Sequence, residues 1–292
     1  MASDAVIGII GGSGLYQIDG LTEVEWRRVA SPFGEASDEL CFGKLGGTRV
    51  VFLPRHGRGH RLPPSEINYR ANIDVLKRAG ATDLLSLSAV GSLKADLAPG
   101  TFLLVDQFID RTFAREKSFF GTGLVAHVGF GHPVCARLGD ALAAAGKDAG
   151  LAMPRGGTYV CMEGPQFSTL AESNLHRSWG CAVVGMTNMP EAKLAREAEL
   201  CYASVAMVTD FDCWHPDHDH VTVDMIIGVL TANAERAKGL VKAVVPLLAQ
   251  HRGACPHGCR NALDNALITS VEARDPALVA KLDAIAGRAL KR

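Results

Sequence analysis

The residues that decide the fold are Ser-Val-Ala-Met-Val-Thr-Asp-Phe-Asp-Cys-Trp, at positions 204–214. Small and β-branched side chains fill the first half of this stretch, which is typical of a strand buried in a sheet. The run ends in two acids, Asp210 and Asp212. If the backbone stays extended, alternation sends both carboxylates to the same side. Open α/β sheets bind ligands at the carboxyl ends of strands, so we expect these acids to face a ligand that offers hydrogen-bond donors.

The same Asp-x-Asp pattern has an ordinary structural alternative. Asp after a strand often forms a turn or caps the next helix, and in isolation the pattern favours that role. The aromatic neighbours Phe211 and Trp214 favour a dry site, where polar contacts are stronger. Candidate ligand residues elsewhere in the sequence distinguish the two interpretations.

Apolar strand-like runs alternate with amphipathic helical segments along the chain. The strand-like runs are residues 5–10, 48–53, 83–89, 101–109, 157–162 and 181–186. This alternation predicts an α/β fold, a single doubly wound domain with a central mixed β-sheet flanked by helices. We assign residues 1–250 to that domain and residues 251–292 to a C-terminal helical extension that packs on it.

The composition restricts the classes of partner. Of 292 residues, 48% are hydrophobic and 21% charged, and the formal net charge is -1. These values argue against disorder and give no basic surface for nucleic acid or anionic membrane. The early Asp4 does not fit a signal peptide, and no uncharged run reaches membrane-spanning length. Several of the eight cysteines lie in apolar runs, so we expect reduced thiols and a cytoplasmic protein.

Two loops after strands are candidate anion sites. Gly11-Gly12-Ser13-Gly14 follows the first strand, and its N–H groups could converge on a phosphate, although a tight structural turn accounts for the glycines equally well. It is not a dinucleotide fingerprint, because Gln17 occupies the place of the third glycine. Arg55 and His56 come directly off a buried strand. An arginine fork suits phosphate oxygens, and a solvated basic loop is the alternative.

Two hydroxyls occupy similar positions. Ser88 ends a strand, and Thr187 lies between a strand and a helix N-terminus, where anions are stabilised. A turn-forming serine is an equal alternative for Ser88. Taken together, the candidates describe one cleft with an anion pocket on one side and two acids on the other. This arrangement would suit a reaction between phosphate, held in the anion pocket, and a ligand that carries a base, held by the two acids.

Two clusters contain residue types that bind metals, but neither has the spacing of a common metal site. Residues 215–220, His-Pro-Asp-His-Asp-His, have no regular spacing and include a proline, so they predict a polar surface loop. Cys255 and Cys259 lie in Cys-Pro-His-Gly-Cys, where a disulfide or a metal clip is an option. Their spacing fits no common zinc pattern, which favours a plain loop. We therefore predict no metal site.

Six motifs in order resemble the S-methyl-5'-thioadenosine phosphorylases of the trimeric branch of purine nucleoside phosphorylases. The resemblance runs from about Ile7 to Leu248. The motifs are Gly11-Gly12-Ser13-Gly14, Pro54-Arg55-His56-Gly57, Ser65-x-x-Asn68-Tyr69-x-Ala71-Asn72, Glu163-Gly164-Pro165-x-Phe167-Ser168, Met186-Thr187 and Thr209-Asp210-Phe211-Asp212-Cys213-Trp214.

The resemblance implies a role for each matching position. The residues that would hold phosphate are Ser13, Arg55, His56, Ser88, Ala89 and Thr187. Met186 would lie against the ribose and Phe167 against the base, while Asp210 and Asp212 would read the purine edge. Ser168 and Val223 would help to select the substrate. His127 would reach into the site of a neighbouring subunit, which implies a homotrimer.

The implied reaction is phosphorolysis of S-methyl-5'-thioadenosine to adenine and 5-methylthioribose 1-phosphate, with phosphate as co-substrate and no metal or organic cofactor. Asp210, with a pKa raised by burial and by Asp212, would act as the acid that assists the departing base. The alternatives are a broader purine nucleoside or methylthioinosine phosphorylase and a non-catalytic nucleoside-binding protein, which the fold alone would not separate.

Overall fold

Ten β-strands form one mixed sheet in the computed structural model, which describes residues 6–12, 14–216, 223–250, 253 and 255–291 and, within 223–227, the backbone alone. The strands are β1 (Val6–Gly11), β2 (Leu21–Arg27), β3 (Leu40–Leu45), β4 (Thr48–Pro54), β5 (Ala81–Ser92), β6 (Phe102–Leu104), β7 (Gln107–Asp110), β8 (Thr158–Cys161), β9 (Val183–Gly185) and β10 (Cys201–Asp210).

The sheet topology places several strand ends at one edge. The main path runs β2-β3-β4-β1-β5-β9-β8-β7, and β10 pairs with β5 and β6. β1 is parallel to β4 and β5, and β5 is parallel to β10. The carboxyl ends of β1, β4 and β10 therefore lie along the same edge of the sheet, where the long β5 continues past them.

Helices cover both faces of this sheet. They are α1 (Tyr69–Arg78), α2 (Ala136–Asp148), α3 (Leu170–Ser178), α4 (Asn188–Glu197), α5 (Val223–Gln250), α6 (Pro276–Lys281) and α7 (Asp283–Leu290). One apolar cluster joins Ile73 of α1, Leu194 of α4 and Ile285 of α7, and another joins Leu142 of α2 to Val244 of α5. Two separate helix-covered cores confirm the predicted doubly wound α/β fold.

Local sequence signals account for the helix and strand boundaries. Every residue of β10 is buried except Asp210, as its apolar composition predicts. At the start of α3, Thr169 accepts from the Glu172 N–H, and the Glu172 carboxylate accepts from the Thr169 N–H in return. This is the predicted capping box, which satisfies two N–H groups that the helix itself leaves unpaired.

Two features of the sheet differ from the prediction. The hairpin β2–β3 was not predicted, because β2 is an exposed edge strand without apolar alternation. The single strand predicted over residues 101–109 is wrong. It is divided into β6, which pairs antiparallel with β10, and β7, which pairs parallel with β8. An apolar run does not reveal that its two halves have different partners.

The C-terminal segment, residues 255–291, lies against the main body of the protein. Leu267 forms a bridge with Ala126, and the Arg288 Nε donates to Glu199 Oε2 at 2.7 Å. The division of the chain at residue 250 stays a prediction. No helix in the described part of the chain is both long enough and apolar enough to cross a bilayer.

A buried ion pair fastens the end of β4 to α4. Arg55 Nε donates to Glu191 Oε2 at 2.7 Å, and these side chains are 2% and 0% exposed. Glu191 Oε1 also accepts from the Ser86 hydroxyl at 2.7 Å and from the Tyr202 hydroxyl at 2.9 Å. The Glu191 carboxylate of α4 is thus paired with Arg55 at the end of β4 and hydrogen-bonded to residues of β5 and β10. These contacts offset the free-energy cost of removing the two charges from water.

We predict that Glu191→Ala lowers the free energy of unfolding by about 3–5 kcal/mol, because it leaves the Arg55 guanidinium charged and buried without its partner. Denaturant titration of the purified variant measures this loss. Glu35→Ala is the control, since the Arg28–Glu35 pair is mostly exposed, and it should change little. Equal stability of the two variants would contradict the prediction.

Candidate active site

The polar strand ends meet at the edge described above. The Arg55 N–H donates to the Gly11 carbonyl at 2.9 Å, so the turn after β1 lies against the end of β4. Ser13, the predicted phosphate ligand of that turn, lies outside the described residues. Ser88 lies inside the neighbouring strand β5, which continues to Ser92, so the prediction that Ser88 ends a strand is wrong. Thr187 immediately precedes α4. The structure therefore brings Arg55, Ser88 and Thr187 into one region.

Most of the hydrogen-bonding capacity of Arg55 is used inside the protein. Besides its pair with Glu191, its Nη2 donates to Ser86 Oγ at 2.6 Å and to the Ile10 carbonyl at 3.3 Å. Nη1 donates to the Leu87 carbonyl at 3.0 Å. Of the five N–H donors of a guanidinium, only the second on Nη1 has no acceptor among the described residues. Arg55 can thus offer one N–H to an anion rather than a two-pronged fork.

His56 is uncharged in this environment. Burial lowers its pKa to about 4, against the opposing effect of a hydrogen bond with Leu62. Nδ1 lies 2.8 Å from the Leu62 carbonyl, which can only accept, so Nδ1 carries the proton. Nε2 therefore has a lone pair. It can accept a hydrogen bond from a phosphate hydroxyl but cannot donate one to a fully ionised oxygen.

The hydroxyl candidates lie close to the first turn of α4. Ser88 Oγ donates to Asn188 Oδ1 at 3.0 Å, so its oxygen lone pairs are oriented by the residue that follows Thr187. Thr187 is the N-cap residue of α4, but its side chain makes no capping hydrogen bond. The Thr187 side chain is instead hydrogen-bonded to Tyr159, and Met189 has non-helical backbone angles, so the regular turns of α4 begin after it. Ala89, between Ser88 and Val90 in β5, is exposed although its neighbours are buried.

The sequence analysis did not identify Arg115, which organises the other side of the cleft. This buried guanidinium donates to Glu163 Oε1 at 3.0 Å, to the Met186 carbonyl at 2.6 Å and to the Met189 carbonyl at 2.7 Å. Burial raises the pKa of Glu163, but its hydrogen bonds with Ser65, the 113–114 backbone and Arg115 bring it down to about 2. The segments that contain Phe167 and Met186 are thereby held together. Arg115 lies in a loop without regular periodicity, so no sequence signal marks it.

Asp210 ends β10 in a partly buried, hydrogen-bonded position. Its Oδ2 accepts from the Thr209 hydroxyl at 2.6 Å, and its Oδ1 accepts from the Asp212 N–H at 2.8 Å. Burial raises the pKa of Asp210, the nearby Asp212 charge adds to the rise, and the two hydrogen bonds oppose it. A carboxyl that holds its proton more tightly than usual is suited to donate a hydrogen bond.

Asp212 does not continue the strand, so the expected alternation is wrong. β10 ends at Asp210, and Asp212 has a φ of 53°, a left-handed conformation that Asp tolerates better than most residues. The Asp212 N–H bond to Asp210 is the Asp turn that we considered as the alternative. Both acids nevertheless lie beside Gly91, where an added Cβ would be 2.9 Å from Asp210 Oδ1 and 3.3 Å from Asp212 Cβ.

Asp212 keeps an acceptor for a ligand. Its Oδ2 is buried and has no hydrogen-bond partner in the described part of the chain. The same holds for Nδ1 of His176, a buried residue of α3 that the sequence analysis missed. Burial lowers the pKa of His176, and the charge of Asp212 opposes the effect. Unpaired buried polar atoms are costly, and a bound molecule with donors would satisfy them.

The other predicted contacts surround these acids. Ser168 is buried, and its carbonyl accepts from the Cys213 thiol at 3.3 Å. Phe167 is 50% exposed beside it. Met186 packs over Gly164, whose absent Cβ would be 2.5 Å from the Met186 sulfur. The side chain of Val223 lies outside the described residues.

His127 is exposed on the loop between β7 and α2. Its N–H donates to the Ala266 carbonyl at 2.9 Å, so the C-terminal segment supports this loop. Two apolar groups are exposed on the surface: Val125, Ile268 and Val271 beside that contact, and Phe113, Phe167, Leu170, Leu175 and Trp179 around α3. The first group is adjacent to His127 and the second to the candidate site.

Comparison with known proteins gives consistent matches. The sequence profile of the phosphorylase superfamily matches residues 6–246. The chain is similar to a Rhodospirillum rubrum protein named S-methyl-5'-thioadenosine phosphorylase, with 62% identity over 285 residues that cover 98% of this chain and 97% of the relative. A Bradyrhizobium diazoefficiens protein of the same name is 63% identical over 289 residues, and 99% of each chain is covered.

Solved structures agree with these matches. A methylthioadenosine phosphorylase sourced from an Antarctic soil metagenomic library has a TM-score of 0.91 and 47% identity, covering 97% of this chain and 99% of its own. The methylthioadenosine phosphorylase of Schistosoma mansoni, crystallised in complex with adenine, has a TM-score of 0.81 and 39% identity, covering 85% of this chain and 93% of its own.

We predict that Thr209→Val raises the pKa of Asp210 further, because the Thr209 hydroxyl bond stabilises the ionised carboxylate. The carboxyl carbon of Asp210, followed by NMR during a pH titration, reports the change. Thr22→Val is the control, since the Thr22 hydroxyl bonds to a remote backbone carbonyl, that of Lys44. An unchanged or lower pKa for Asp210 in Thr209→Val would show that this hydrogen bond does not stabilise the ionised form.

Proposed function

We propose that this chain, which belongs to the phosphorylase superfamily, cleaves S-methyl-5'-thioadenosine with phosphate to give adenine and 5-methylthioribose 1-phosphate. Relatives of this named activity are 62–63% identical over nearly the whole chain. The observation in the structure that carries the proposal is the pair formed by Asp210 and Asp212. One acid holds its proton unusually tightly, and the other has a buried oxygen without a partner in the described part of the chain.

Phosphate would bind where β4, β5 and α4 meet. Ser13, Arg55, His56, Ser88, Ala89 and Thr187 would surround it. The Nη1 hydrogen of Arg55 that has no acceptor among the described residues, and the N-terminal end of α4, would supply positive potential. Because His56 Nε2 carries a lone pair, it would accept a hydrogen bond from a phosphate hydroxyl. This contact would orient the anion and leave its ionised oxygens directed at the sugar.

Cleavage of the N-glycosidic bond puts positive charge on the sugar and negative charge on the departing base. Phosphate held beneath the ribose would stabilise the oxocarbenium-like transition state and then attack C1' with inversion. Asp210 would donate a hydrogen bond or its proton to N7 of the purine as the C1'–N9 bond breaks. Met186 would lie against the ribose and Phe167 against the base.

Discrimination among purines would come from Asp212. Its Oδ2, which has no partner within the described ranges, can accept from the exocyclic amine of adenine, whereas a 6-oxopurine presents an acceptor at that position. An unpaired buried acceptor costs about 1–3 kcal/mol, enough to favour the aminopurine. Ser168, which is buried beside Cys213, and Val223 would shape the remainder of the base and sugar pocket.

The substrates supply all reacting groups in this scheme, so we propose that no organic cofactor takes part and that phosphate is the co-substrate. The eight cysteines are all free thiols in the structure, which is consistent with a reducing cytoplasmic environment.

A homotrimer would complete the site. His127 is exposed beside one apolar group of residues, and Phe167 belongs to the other. If the first group of one subunit covers the second group of the next, the contact is heterologous and can close a ring, for which the family resemblance implies three copies. His127 would then approach the methylthio end of the substrate in the neighbouring site.

The proposed activity is tested by incubating the protein with methylthioadenosine, adenosine or methylthioinosine, each with and without phosphate. We expect release of adenine from methylthioadenosine only when phosphate is present. Asp210→Asn should reduce this turnover by roughly 10²–10⁴-fold, because it removes the acid, and should shift preference toward 6-oxopurine nucleosides.

Asp148→Asn serves as the matched control, because Asp148 is exposed at the end of α2, and it should retain full activity. Release of base that does not depend on phosphate would reject phosphorolysis. Full turnover by Asp210→Asn would reject the role of Asp210 while leaving the reaction itself in place.

We predict that Ile268→Asp dissociates the trimer and lowers activity, because it places a charge in an apolar contact beside the loop of His127. Ile268 is 63% exposed in the single chain. Sedimentation velocity measures the assembly, with Val24→Asp as control because Val24 is 52% exposed on the distant edge strand β2. A wild-type protein that sediments as a monomer at micromolar concentration would contradict the proposal.

A further inference from the structure

Four cysteines from distant parts of the sequence meet at one point. Cys135 precedes α2, Cys201 begins β10, and Cys255 and Cys259 lie in the C-terminal segment. Their four sulfur atoms all lie within 4.8 Å of one another. Cys255 Sγ is 3.5 Å from Cys135 Sγ and 3.1 Å from Cys259 Sγ.

From this geometry we propose a structural Zn²⁺ site with four thiolate ligands. Sulfur atoms at about 2.3 Å from a tetrahedral zinc lie about 3.8 Å apart. The sulfur separations, from 3.1 Å to at most 4.8 Å, bracket that value. Four protein ligands leave no open coordination position, so the ion would stabilise the fold and take no part in the chemistry of the cleft.

The surroundings of the sulfurs fit a metal-thiolate centre. Cys135, Cys201 and Cys259 are buried and Cys255 is partly exposed, which gives a dry site close to the surface. The Cys259 N–H donates to Cys255 Sγ at 3.4 Å, a bond that orients a thiolate ligand. Gly258, with a φ of 61°, provides the left-handed turn that brings the two cysteines together.

Nearby cations offset the charge of such a centre. Zn²⁺ with four thiolates has a net charge of -2, which is costly to bury alone. Arg137 and Arg260 both contact the same carboxylate oxygen, Asp83 Oδ1, and Arg137 also interacts with the Cys201 sulfur. Because two guanidinium groups are paired with a single carboxylate, this group of residues has a net positive charge, which would offset part of the negative charge of the metal-thiolate centre.

A disulfide accounts for the arrangement less well. An S–S bond joins two sulfurs and excludes the others, but Cys255 Sγ lies within 3.5 Å of two partners at once. A central ion satisfies all four sulfurs together. The loop spacing of Cys255 and Cys259 was not informative because the other two ligands come from residues 135 and 201.

The position of the site gives it a structural role. It joins the C-terminal segment to the start of β10 and to the residue before α2. A few residues beyond Cys259, the Leu263 N–H donates to Glu199 at 3.0 Å and the Ala266 carbonyl accepts from His127 at 2.9 Å. The zinc would fix the segment that supports the His127 loop, so its loss should loosen that loop before it affects the sheet.

The test measures metal in the full-length protein, purified under anaerobic reducing conditions from zinc-supplemented cells. We expect inductively coupled plasma mass spectrometry to detect one equivalent of zinc per chain. Cys201→Ala and Cys259→Ala should each lose the zinc and unfold at lower temperature. Cys41→Ala is the matched control, because Cys41 is a buried cysteine in β3 outside the cluster, and it should keep its zinc.

Replacement of the ion with Co²⁺ in the wild-type protein gives a second readout that does not depend on variants that fold. A tetrahedral thiolate site should show intense visible d–d bands and sulfur-to-cobalt charge transfer in the near ultraviolet. Wild-type protein that contains no zinc and gives no such cobalt spectrum would overturn the proposal. So would a disulfide between any two of the four cysteines in the anaerobically purified protein.

Discussion

The buried pair of Arg55 and Glu191 is the interaction on which the rest of the structure depends. Two charges that are almost completely removed from solvent are tolerated only if the carboxylate and the guanidinium are both hydrogen-bonded, and here both are. Satisfying them fixes the end of β4, the middle of β5, the first turn of α4 and the ring of Tyr202 relative to one another. These are the elements that carry the candidate phosphate ligands, so the same bonds that remove a desolvation penalty also shape the cleft.

A second arginine does the same for the opposite side of the cleft. Arg115 holds Glu163 and the carbonyls of Met186 and Met189, and it thereby sets the distance between the loop of Phe167 and the segment that leads to Thr187. Neither guanidinium is free to respond to a ligand with more than a small part of its donors. The cleft is consequently preorganised, which reduces the reorganisation needed when charge develops in a transition state.

The two acids at the end of β10 show how similar residues acquire different properties. Asp210 is partly buried and has both oxygens occupied by donors, whereas the buried Asp212 has turned out of the strand and leaves one oxygen unpaired among the described residues. The turn links them, since the Asp212 N–H is a donor to Asp210. A conformation that sequence analysis would assign to an ordinary Asp turn therefore creates two chemically distinct groups within a few ångströms of each other.

Sequence analysis predicted the α/β fold, the buried strand at residues 204–210, the capping box of α3 and the polar residues at the ends of β4 and β10. These follow from local patterns: apolar composition, capping chemistry and the rule that parallel strands end at a common edge. Only the tertiary structure decided which donors remain available. It showed that Arg55 has one N–H without an acceptor among the described residues, that His56 is neutral and that Asp212 is in a turn. It placed Arg115 against Glu163 and Met186, and left Nδ1 of the buried His176 without a partner in that part of the chain. It also brought Cys135 and Cys201 to Cys255 and Cys259. Hydrogen-bond saturation, burial and the convergence of distant residues depend on the position of the whole chain in space, and a linear pattern of residues does not contain that information.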